Sequence, residues 1–181
     1  MKTYLWLLLI FPLTLLFSPP ASAEEIYTKD GISFSIETPS EWGIRTLPRE
    51  DLAYLAVGVK MPYITSVSVR MARSPKRAAL LNNPGMNAAY LADPKRETVI
   101  ETGTTTVSWI KAYYCVTSSK EFMEKDQKDL YQIEKKISFA RGEEVFTISF
   151  AATGTSLDEA SEHFDALKTT FDSVLSSFHL Q

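Results

Sequence analysis

Cysteine is almost absent from this sequence, because Cys115 is the only cysteine among 181 residues. A single cysteine cannot form an intrachain disulfide, and it excludes zinc sites built from several cysteines. It also argues against a lipid anchor, since lipid attachment needs a cysteine at the cleavage site of the precursor. The fold must therefore depend on its hydrophobic core, and we interpret Cys115 as a small packed side chain.

Glycine and histidine are also scarce, with seven and two copies. The glycines nowhere match the spacing of a dinucleotide-binding or Walker-type phosphate loop. His163 and His179 are separated by about 24 Å along one helix, so they cannot share a metal or a substrate. Glu159 lies one helical turn before His163, but a metal site usually needs three protein ligands. We predict no cofactor, no metal site and no catalytic residue.

Neither sign of charge dominates, with 19 Lys and Arg against 22 Asp and Glu, a net charge of -3 and an isoelectric point near 5.5. Nucleic-acid-binding domains are usually basic, so we exclude nucleic acid as a partner. The hydrophobic fraction of 45% is typical of a folding globular protein.

The apolar start of the sequence is typical of an export signal. Lys2 precedes an apolar stretch over residues 4–17, and residues 21–23 form an Ala-Ser-Ala cleavage pattern. The stretch is shorter than the roughly 20 residues of a membrane-spanning helix, which favours a cleaved signal peptide over an uncleaved anchor. We predict cleavage after Ala23 and a mature chain of residues 24–181. The protein would be periplasmic or secreted, without a membrane span or a lipid anchor.

Alternating apolar and polar residues predict strands with one buried face. Asp30-Gly31 is a hairpin signal, and Gly103 is predicted to join two later strands. The predicted strands cover residues 24–29, 32–37, 52–60, 63–73, 98–101, 105–118, 130–140 and 145–152. The last two would form a hairpin around a charged turn, and residues 120–128 are interpreted as a solvated loop.

Proline and capping residues predict three helices. Proline follows a capping residue at positions 74–75 and again at positions 83–84. Ser156 and Glu159 form a capping box before an apolar stripe that continues to Phe178. We predict one long amphipathic C-terminal helix that packs on the sheet.

The opening motif resembles that of the PsbP-like superfamily. Residues 34–42 read F-x-I-x-x-P-x-x-W, and residues 137–150 and 171–178 are similar to later parts of the same group. The superfamily includes the extrinsic PsbP protein of photosystem II, a Ran-binding transport factor and bacterial envelope proteins. The resemblance implies one domain over residues 24–181. It also implies an α/β (α+β) fold in which an antiparallel sheet lies between helices, as an α/β/α sandwich. It also implies an accessory or protein-binding role without a shared catalytic site.

Four cations form a basic patch at a predicted strand-to-helix junction. They are Arg70, Arg73, Lys76 and Arg77. In an acidic chain, such a patch suits an acidic partner or an anionic lipid. A solvated edge that neighbouring acids neutralise is the alternative interpretation.

Trp109, Lys111 and Tyr113 fall on one face of a predicted strand. If that face is exposed, it is an aromatic and cationic binding surface of the kind enriched at interfaces. If a helix covers it, the same residues belong to the core. The alternation leaves both interpretations open.

We therefore predict an exported, non-catalytic binding or accessory protein of the bacterial envelope that contacts another protein. Two alternatives remain open. One is a binder of a small molecule or lipid in a pocket between sheet and helices, and the other is an enzyme that uses Cys115 or a pair of carboxylates. Titratable groups with shifted pKa values that converge in a cleft would favour the enzyme.

Overall fold

The computed structural model describes residues 26–45, 50–60, 63–123 and 128–181. The predicted signal peptide and its cleavage position after Ala23 lie outside these ranges. No helix within them is long and apolar enough to cross a membrane.

The described ranges contain strands, three α-helices and one short 3-10 helix. In chain order they are β1 (Ile26–Lys29), β2 (Ile32–Ser35), β3 (Gly43–Ile44), β4 (Leu52–Lys60), β5 (Tyr63–Arg73), α1 (Pro75–Leu81), the 3-10 helix Ala88–Leu91, β6 (Glu97–Val107), β7 (Ile110–Met123), β8 (Lys128–Arg141), β9 (Glu144–Gly154), α2 (Leu157–Ala166), α3 (Lys168–Ser176) and β10 (His179–Leu180).

Seven strands form one sheet, here called the large sheet, in the order β3-β4-β5-β9-β8-β7-β6. Every neighbouring pair is antiparallel. The predicted β8–β9 hairpin is present and lies inside the sheet, whereas β3 and β6 lie at its two edges. The antiparallel sheet with separate helices agrees with the predicted α+β class.

Three short strands form a second sheet, here called the small sheet, in the order β1-β2-β10. The β1–β2 hairpin turns at Asp30 and Gly31, whose φ angles of 52° and 80° suit the predicted Asp-Gly turn. His179 of β10 pairs with Ser35 of β2. The C-terminus thereby joins the small sheet.

The main core lies between one face of the large sheet, the small sheet and the C-terminal helices. Phe178 stacks on Phe34 with ring centroids 5.4 Å apart, and Phe171 packs 5.0 Å from Phe150. A smaller core lies on the other face of the large sheet, where Leu81 and its neighbours on α1 cover it. Helices therefore lie on both faces, but strands dominate, so the predicted α/β/α sandwich is matched only loosely.

The single long C-terminal helix predicted from the sequence is wrong, because the helix breaks at Leu167. This residue has φ -98° and ψ 0° and ends α2 immediately before α3. Its N–H bonds to the Phe164 carbonyl, as in a 3-10 turn. Thr169 and Thr170 follow, and β-branched residues have low helix propensity. The apolar stripe nevertheless faces the sheet on both sides of the break.

The turn predicted at Gly103 is also wrong, because β6 continues through this residue and turns at Ser108 and Trp109. A Cβ atom at position 103 would lie 2.7 Å from the ring of Tyr114 on β7. Glycine at 103 therefore accommodates the close approach of an aromatic ring rather than a turn.

The helix predicted from positions 83–84 is absent, and only the 3-10 helix forms in this segment. The side chain of Asn83 accepts a hydrogen bond from the Gly85 N–H, and that of Asn87 accepts one from the Ala89 N–H. These local bonds compete with the helical ladder. Residues 120–123 belong to β7 rather than to the predicted loop, and residues 124–127 lie outside the described ranges.

Candidate functional site

Both groups of predicted binding residues lie toward the same end of the large sheet. Arg73 at the end of β5 pairs with Glu144 at the start of β9, which pairs with Arg141 at the end of β8. The turn at Ser108 and Trp109 closes the β6–β7 hairpin at this end, which we call the turn end. Strands are about 4.8 Å apart, so roughly 15–20 Å separates Arg73 from this turn.

Trp109 is 97% exposed at the tip of the β6–β7 hairpin. Ser108 and Trp109 have φ angles of 45° and 67°, a geometry that two-residue hairpin turns usually fill with Asn and Gly. The Ser108 hydroxyl donates a hydrogen bond to the Phe178 carbonyl at 2.9 Å and accepts one from the Leu180 N–H at 3.3 Å. The C-terminal segment thus holds the turn while the indole extends into solvent.

The predicted face of Trp109, Lys111 and Tyr113 is divided in the structure. Tyr113 is buried in the smaller core, and its hydroxyl donates a hydrogen bond to the Asn83 carbonyl at 2.9 Å. The Lys111 ammonium lies 4.8 Å from the centroid of the Tyr113 ring. Trp109 and Lys111 are therefore accessible to a partner, whereas Tyr113 supports them from below.

Two cations of the predicted basic patch are paired with acids. Arg73 donates from Nε and Nη2 to Glu143 Oε2 at 3.0 and 2.7 Å. The Arg70 Nε atom lies 4.0 Å from Asp51 Oδ2. Both pairs are at least two-fifths exposed, and such pairs contribute little stability. Their effect is mainly to reduce the positive charge of the patch.

Lys76, Arg77 and Lys111 are exposed near the turn end. No ion pair joins them to another residue in the described parts of the chain. The positive charge available to a partner therefore comes from α1 and from the start of β7.

A cleft of about 360 Å³ separates the outer strands of the large sheet from α2 and α3. We call it the sheet–helix cleft. Val116 and Ile133 line it from the sheet, Phe164 and Phe171 line it from the helices, and Ile100 stands at its β6 side with 56% exposure. Helix α2 packs on β8 and β9, which leaves the cleft open toward β6.

Two polar pairs lie around the sheet–helix cleft, which Lys135, Ser161 and Asp172 also line. The Tyr114 hydroxyl donates to Glu101 Oε1 at 2.6 Å, and this bond raises the pKa of Tyr114. The Lys135 ammonium lies 5.0 Å from the Tyr114 ring centroid, and Lys168 pairs with Asp165 at 2.8 Å. An apolar floor with a partly paired polar rim suits an apolar peptide side chain better than a small polar ligand.

A wider depression of about 620 Å³ lies where β6 begins and β7 ends. Lys95 and Arg96 line one part of it, and the exposed Phe122 lines another. Lys120, also in its wall, pairs with Asp129 at 2.8 Å. This depression lies at the opposite end of the large sheet from Trp109.

Glu159 and His163, the pair considered as metal ligands, take part in hydrogen bonds of the fold. Glu159 accepts bonds from the side chain and N–H of Thr155 and from the Tyr63 hydroxyl, which lower its pKa to about 2. The His163 Nδ1 atom lies 3.0 Å from the Thr153 carbonyl oxygen. In the described ranges, no three His, Cys, Asp or Glu side chains are placed to hold a metal ion.

Cys115 is fully buried, as the interpretation of a packed side chain predicted. Burial raises the pKa of its thiol, whereas a reactive cysteine needs a lowered pKa and access to solvent. This environment favours a packing role for Cys115.

A pocket between sheet and helices was raised from the sequence only as an alternative, and the residues that line the sheet–helix cleft were not identified, because its walls come from segments that lie far apart in the chain. The local signal was Gly103 within a threonine-rich strand, which marks the place where Tyr114 approaches the backbone. A glycine inside a strand often indicates such an approach.

No family model and no curated protein matches this sequence. Among solved structures, the chain is similar to LpqN of Mycobacterium tuberculosis, which is involved in cell envelope biogenesis. The TM-score is 0.52 with 9% identity, over 90% of this chain and 87% of LpqN.

Two other solved structures overlap less well with this chain. A protein from Bacteroides thetaiotaomicron has a TM-score of 0.38 and 16% identity, over 82% of this chain and 45% of that protein. A protein of unknown function from Pseudomonas aeruginosa has a TM-score of 0.40 and 14% identity, over 83% and 94%. The likeness to LpqN is thus one of fold, and membership of the PsbP-like superfamily stays a prediction.

Proposed function

We propose that this chain is a non-catalytic protein-binding module of the bacterial envelope and that its partner docks on the turn end. The observation that carries the proposal is the 97% exposure of Trp109 on a turn that the hydrogen bonds of Ser108 hold to the C-terminal segment. Tryptophan is enriched among the few residues that dominate binding energy at interfaces. A partner with an apolar pocket for the indole and acidic groups opposite Lys76, Arg77 and Lys111 would fit this surface.

The envelope location rests on two independent supports. The first is the predicted signal peptide with cleavage after Ala23, which would deliver the chain to the periplasm or the exterior. The second is the fold likeness to LpqN, a protein involved in cell envelope biogenesis. Fold does not imply function, so the likeness supports the location more than it supports any particular partner.

The experiment compares capture of envelope proteins by the mature chain and by three variants. Trp109→Ala should lose the partner, and Trp109→Phe should retain part of the binding. Phe122→Ala is the matched control, since Phe122 is 58% exposed at the opposite end of the sheet. With the captured protein purified, Trp109→Ala should raise Kd about thirtyfold, the effect of a typical hot-spot residue.

If the native chain and Trp109→Ala bind the captured protein with equal affinity, the partner does not dock on the turn end and this part of the proposal is wrong. For the location, N-terminal sequencing of the exported protein should begin at Glu24. A chain that keeps Met1 would contradict the predicted cleavage.

The two alternatives have weaker support. A small-molecule or lipid binder would use the sheet–helix cleft, yet Glu101, Tyr114, Asp165 and Lys168 already satisfy one another around it, and ligand sites need polar groups that converge on the ligand. An enzyme would need an accessible nucleophile or a converging pair of carboxylates. Cys115 is buried, so it does not provide the nucleophile.

A further inference from the structure

The two edges of the large sheet differ in length. One edge is β3 with 2 residues, and the other is β6 with 11 residues. The outer edge of a strand presents unpaired N–H and C=O groups that can pair with another chain, and proteins usually protect long edges with lysine, proline, bulges or a covering element. β6 is therefore the edge that needs protection.

β6 has little of that protection. Its sequence, ETVIETGTTTV, contains no lysine, arginine or proline. The pairing with β7 shifts between Val99 and Glu101, so a bulge at Ile100 disturbs the first part of the strand. From residue 101 to residue 107 the ladder is regular, and no strand of the described ranges pairs with the outer side of these residues, which form the open edge. All of them are exposed or half-buried except Val107, which is buried next to the turn.

The open edge and the sheet–helix cleft lie side by side. Glu101 pairs with Val116 and Gly103 pairs with Tyr114, and Val116 and Tyr114 both line the cleft. Residues that pair directly across strands share one face of a sheet. A strand added to β6 would therefore place every second side chain over the open side of the cleft.

We propose that residues 101–107 of β6 accept an extended segment of a partner protein as an additional antiparallel or parallel strand. Its main chain pairs with the open edge, and its apolar side chains on one face enter the sheet–helix cleft. Peptide recognition by strand addition combines these two parts, because the main-chain bonds provide affinity and the pockets for alternate side chains provide specificity. This site runs along the sheet edge up to the turn end, uses different contacts from Trp109 and does not depend on the function proposed for it.

A second copy of β6 fits this site poorly. Antiparallel self-pairing of residues 101–107 is centred on Thr104 and puts Thr105 of the other copy opposite Gly103. The cleft side would then receive Val107, Thr105, Gly103 and Glu101, which are mostly small or charged. These side chains leave much of the cleft, whose volume is about 360 Å³, unfilled, whereas phenylalanine or leucine at alternate positions would fill its apolar part.

The probe is a capped peptide of sequence Lys-Thr-Phe-Thr-Phe-Thr-Phe-Thr-Lys, titrated into the ¹⁵N-labelled mature chain. Amide shifts and new protection from hydrogen exchange should concentrate at residues 101–107 and around the cleft. Two further peptides carry N-methyl groups on the three phenylalanines or on three threonines. N–H groups alternate between the two edges of a strand, so only one of the two sets of methylated N–H groups faces β6. Methylation of that set should weaken binding by at least about tenfold, and methylation of the other should have little effect.

Two variants of neighbouring residues test the role of the cleft. Ile100→Lys puts a charge at the mouth of the cleft and should weaken binding by about tenfold or more. Val99→Lys is the matched control, since Val99 is 41% exposed and pairs with Thr117, which is buried on the opposite face. Trp109→Ala should bind the peptide normally, which separates this site from the turn end.

Three results would overturn the proposal. The first is equal binding of both N-methylated peptides, which would mean contact through side chains alone. The second is dimerisation of the native chain, if replacing Thr104 by a charged residue abolishes it. A second copy of the chain would then occupy β6. The third is a fatty acid that causes the same amide shifts around the cleft without protecting β6 from hydrogen exchange. The cleft would then be a lipid site.

Discussion

Trp109 occupies a backbone conformation that lowers stability. Its φ of 67° lies in the left-handed region, which costs a residue with a Cβ about 1–2 kcal/mol. The hydrogen bonds of Ser108 to residues 178 and 180 hold the turn in this conformation. The exposed indole gains almost nothing from burial in the monomer, so stability does not account for a tryptophan here. Contact with a partner would account for it, which is the physical basis of the proposed docking at the turn end.

The Glu159 carboxylate gives the chain a defined acid sensitivity. Its pKa is about 2 in the folded chain and near 4.5 without these contacts. Between pH 4.5 and pH 2 the Glu159 carboxylate is protonated in the unfolded chain but not in the folded chain, so the free energy of unfolding falls as the pH falls. We predict that Glu159→Gln makes the free energy of unfolding less dependent on pH in this window. Urea titrations from pH 2 to pH 6 measure the difference.

Tyr63→Phe is the control for this prediction. It removes the hydroxyl that donates to Glu159 but keeps the aromatic ring that packs against His163 with centroids 3.7 Å apart. The Thr155 bonds remain, so the pH dependence should fall between those of the native chain and Glu159→Gln. An unchanged pH profile in Glu159→Gln would show that other carboxylates control acid unfolding.

At the scale of elements, local patterns predicted strands better than they predicted turns. The alternation of β5 follows directly from one face that is more buried than the other, whereas the strand at 52–60 was predicted from a largely apolar run and β9 is buried on both faces. The β6–β7 turn was misplaced because glycine at 103 looks like a turn signal, whereas Ser108-Trp109 does not. The reason for the glycine is Tyr114 on the next strand, and this contact is visible only after the strands pair.

The C-terminal helices and the candidate site show the same limit. The apolar stripe predicted which residues face the sheet, but it could not predict the break at Leu167 or the cleft that α2 and α3 leave beside β6. Both depend on how the helices meet a sheet assembled from distant segments. Likewise, Trp109 and Lys111 could be selected as binding candidates, whereas the burial of Tyr113 depends on α1 and on Asn83.

Gly103 and Tyr114 form the contact that shapes the β6 side of the cleft. A Cβ at position 103 would lie 2.7 Å from the tyrosine ring, so Gly103→Ala must displace the ring and strain its bond to Glu101. We predict that Gly103→Ala lowers the free energy of unfolding by about 1–2 kcal/mol, the usual cost of overpacking. Equilibrium unfolding in urea measures this change.

A double-mutant cycle tests the mechanism of this effect. In the Tyr114→Ala background the clash is absent, so the cost of Gly103→Ala should shrink by more than half. Gly85→Ala is the matched control, because the nearest atom to its added Cβ lies at 3.5 Å. If Gly103→Ala costs the same with and without the ring, the glycine is needed for a reason other than Tyr114.

At the scale of the whole molecule, the two sheets share one core. The turn end with Trp109 lies outside this core, whereas the sheet–helix cleft beside β6 reaches it at Val116, Ile133, Phe164 and Phe171. A partner of the turn end can therefore bind without touching the core, whereas a partner of β6 would contact its margin. Because β10 joins the small sheet and also supports the Ser108 turn, the C-terminus connects the core to the turn end.

Phe178 packs between the small sheet and the large sheet, which also meet where Tyr27 of β1 contacts Tyr54 of β4 with ring centroids 4.6 Å apart. Its ring lies 5.4 Å from Phe34 of β2 and 6.1 Å from Phe139 of β8, and it is 1% exposed. We predict that Phe178→Ala lowers the free energy of unfolding by about 3–5 kcal/mol, with coincident transitions by circular dichroism and by Trp42 fluorescence. Phe122→Ala, at an exposed position, should change it by less than about 0.5 kcal/mol.

Native-state hydrogen exchange decides whether the sheets unfold together: Phe178→Ala should lower protection equally in β2 and β8. A loss confined to β1 and β2 would mean that the small sheet opens on its own, and the turn end would then lose its support before the core unfolds.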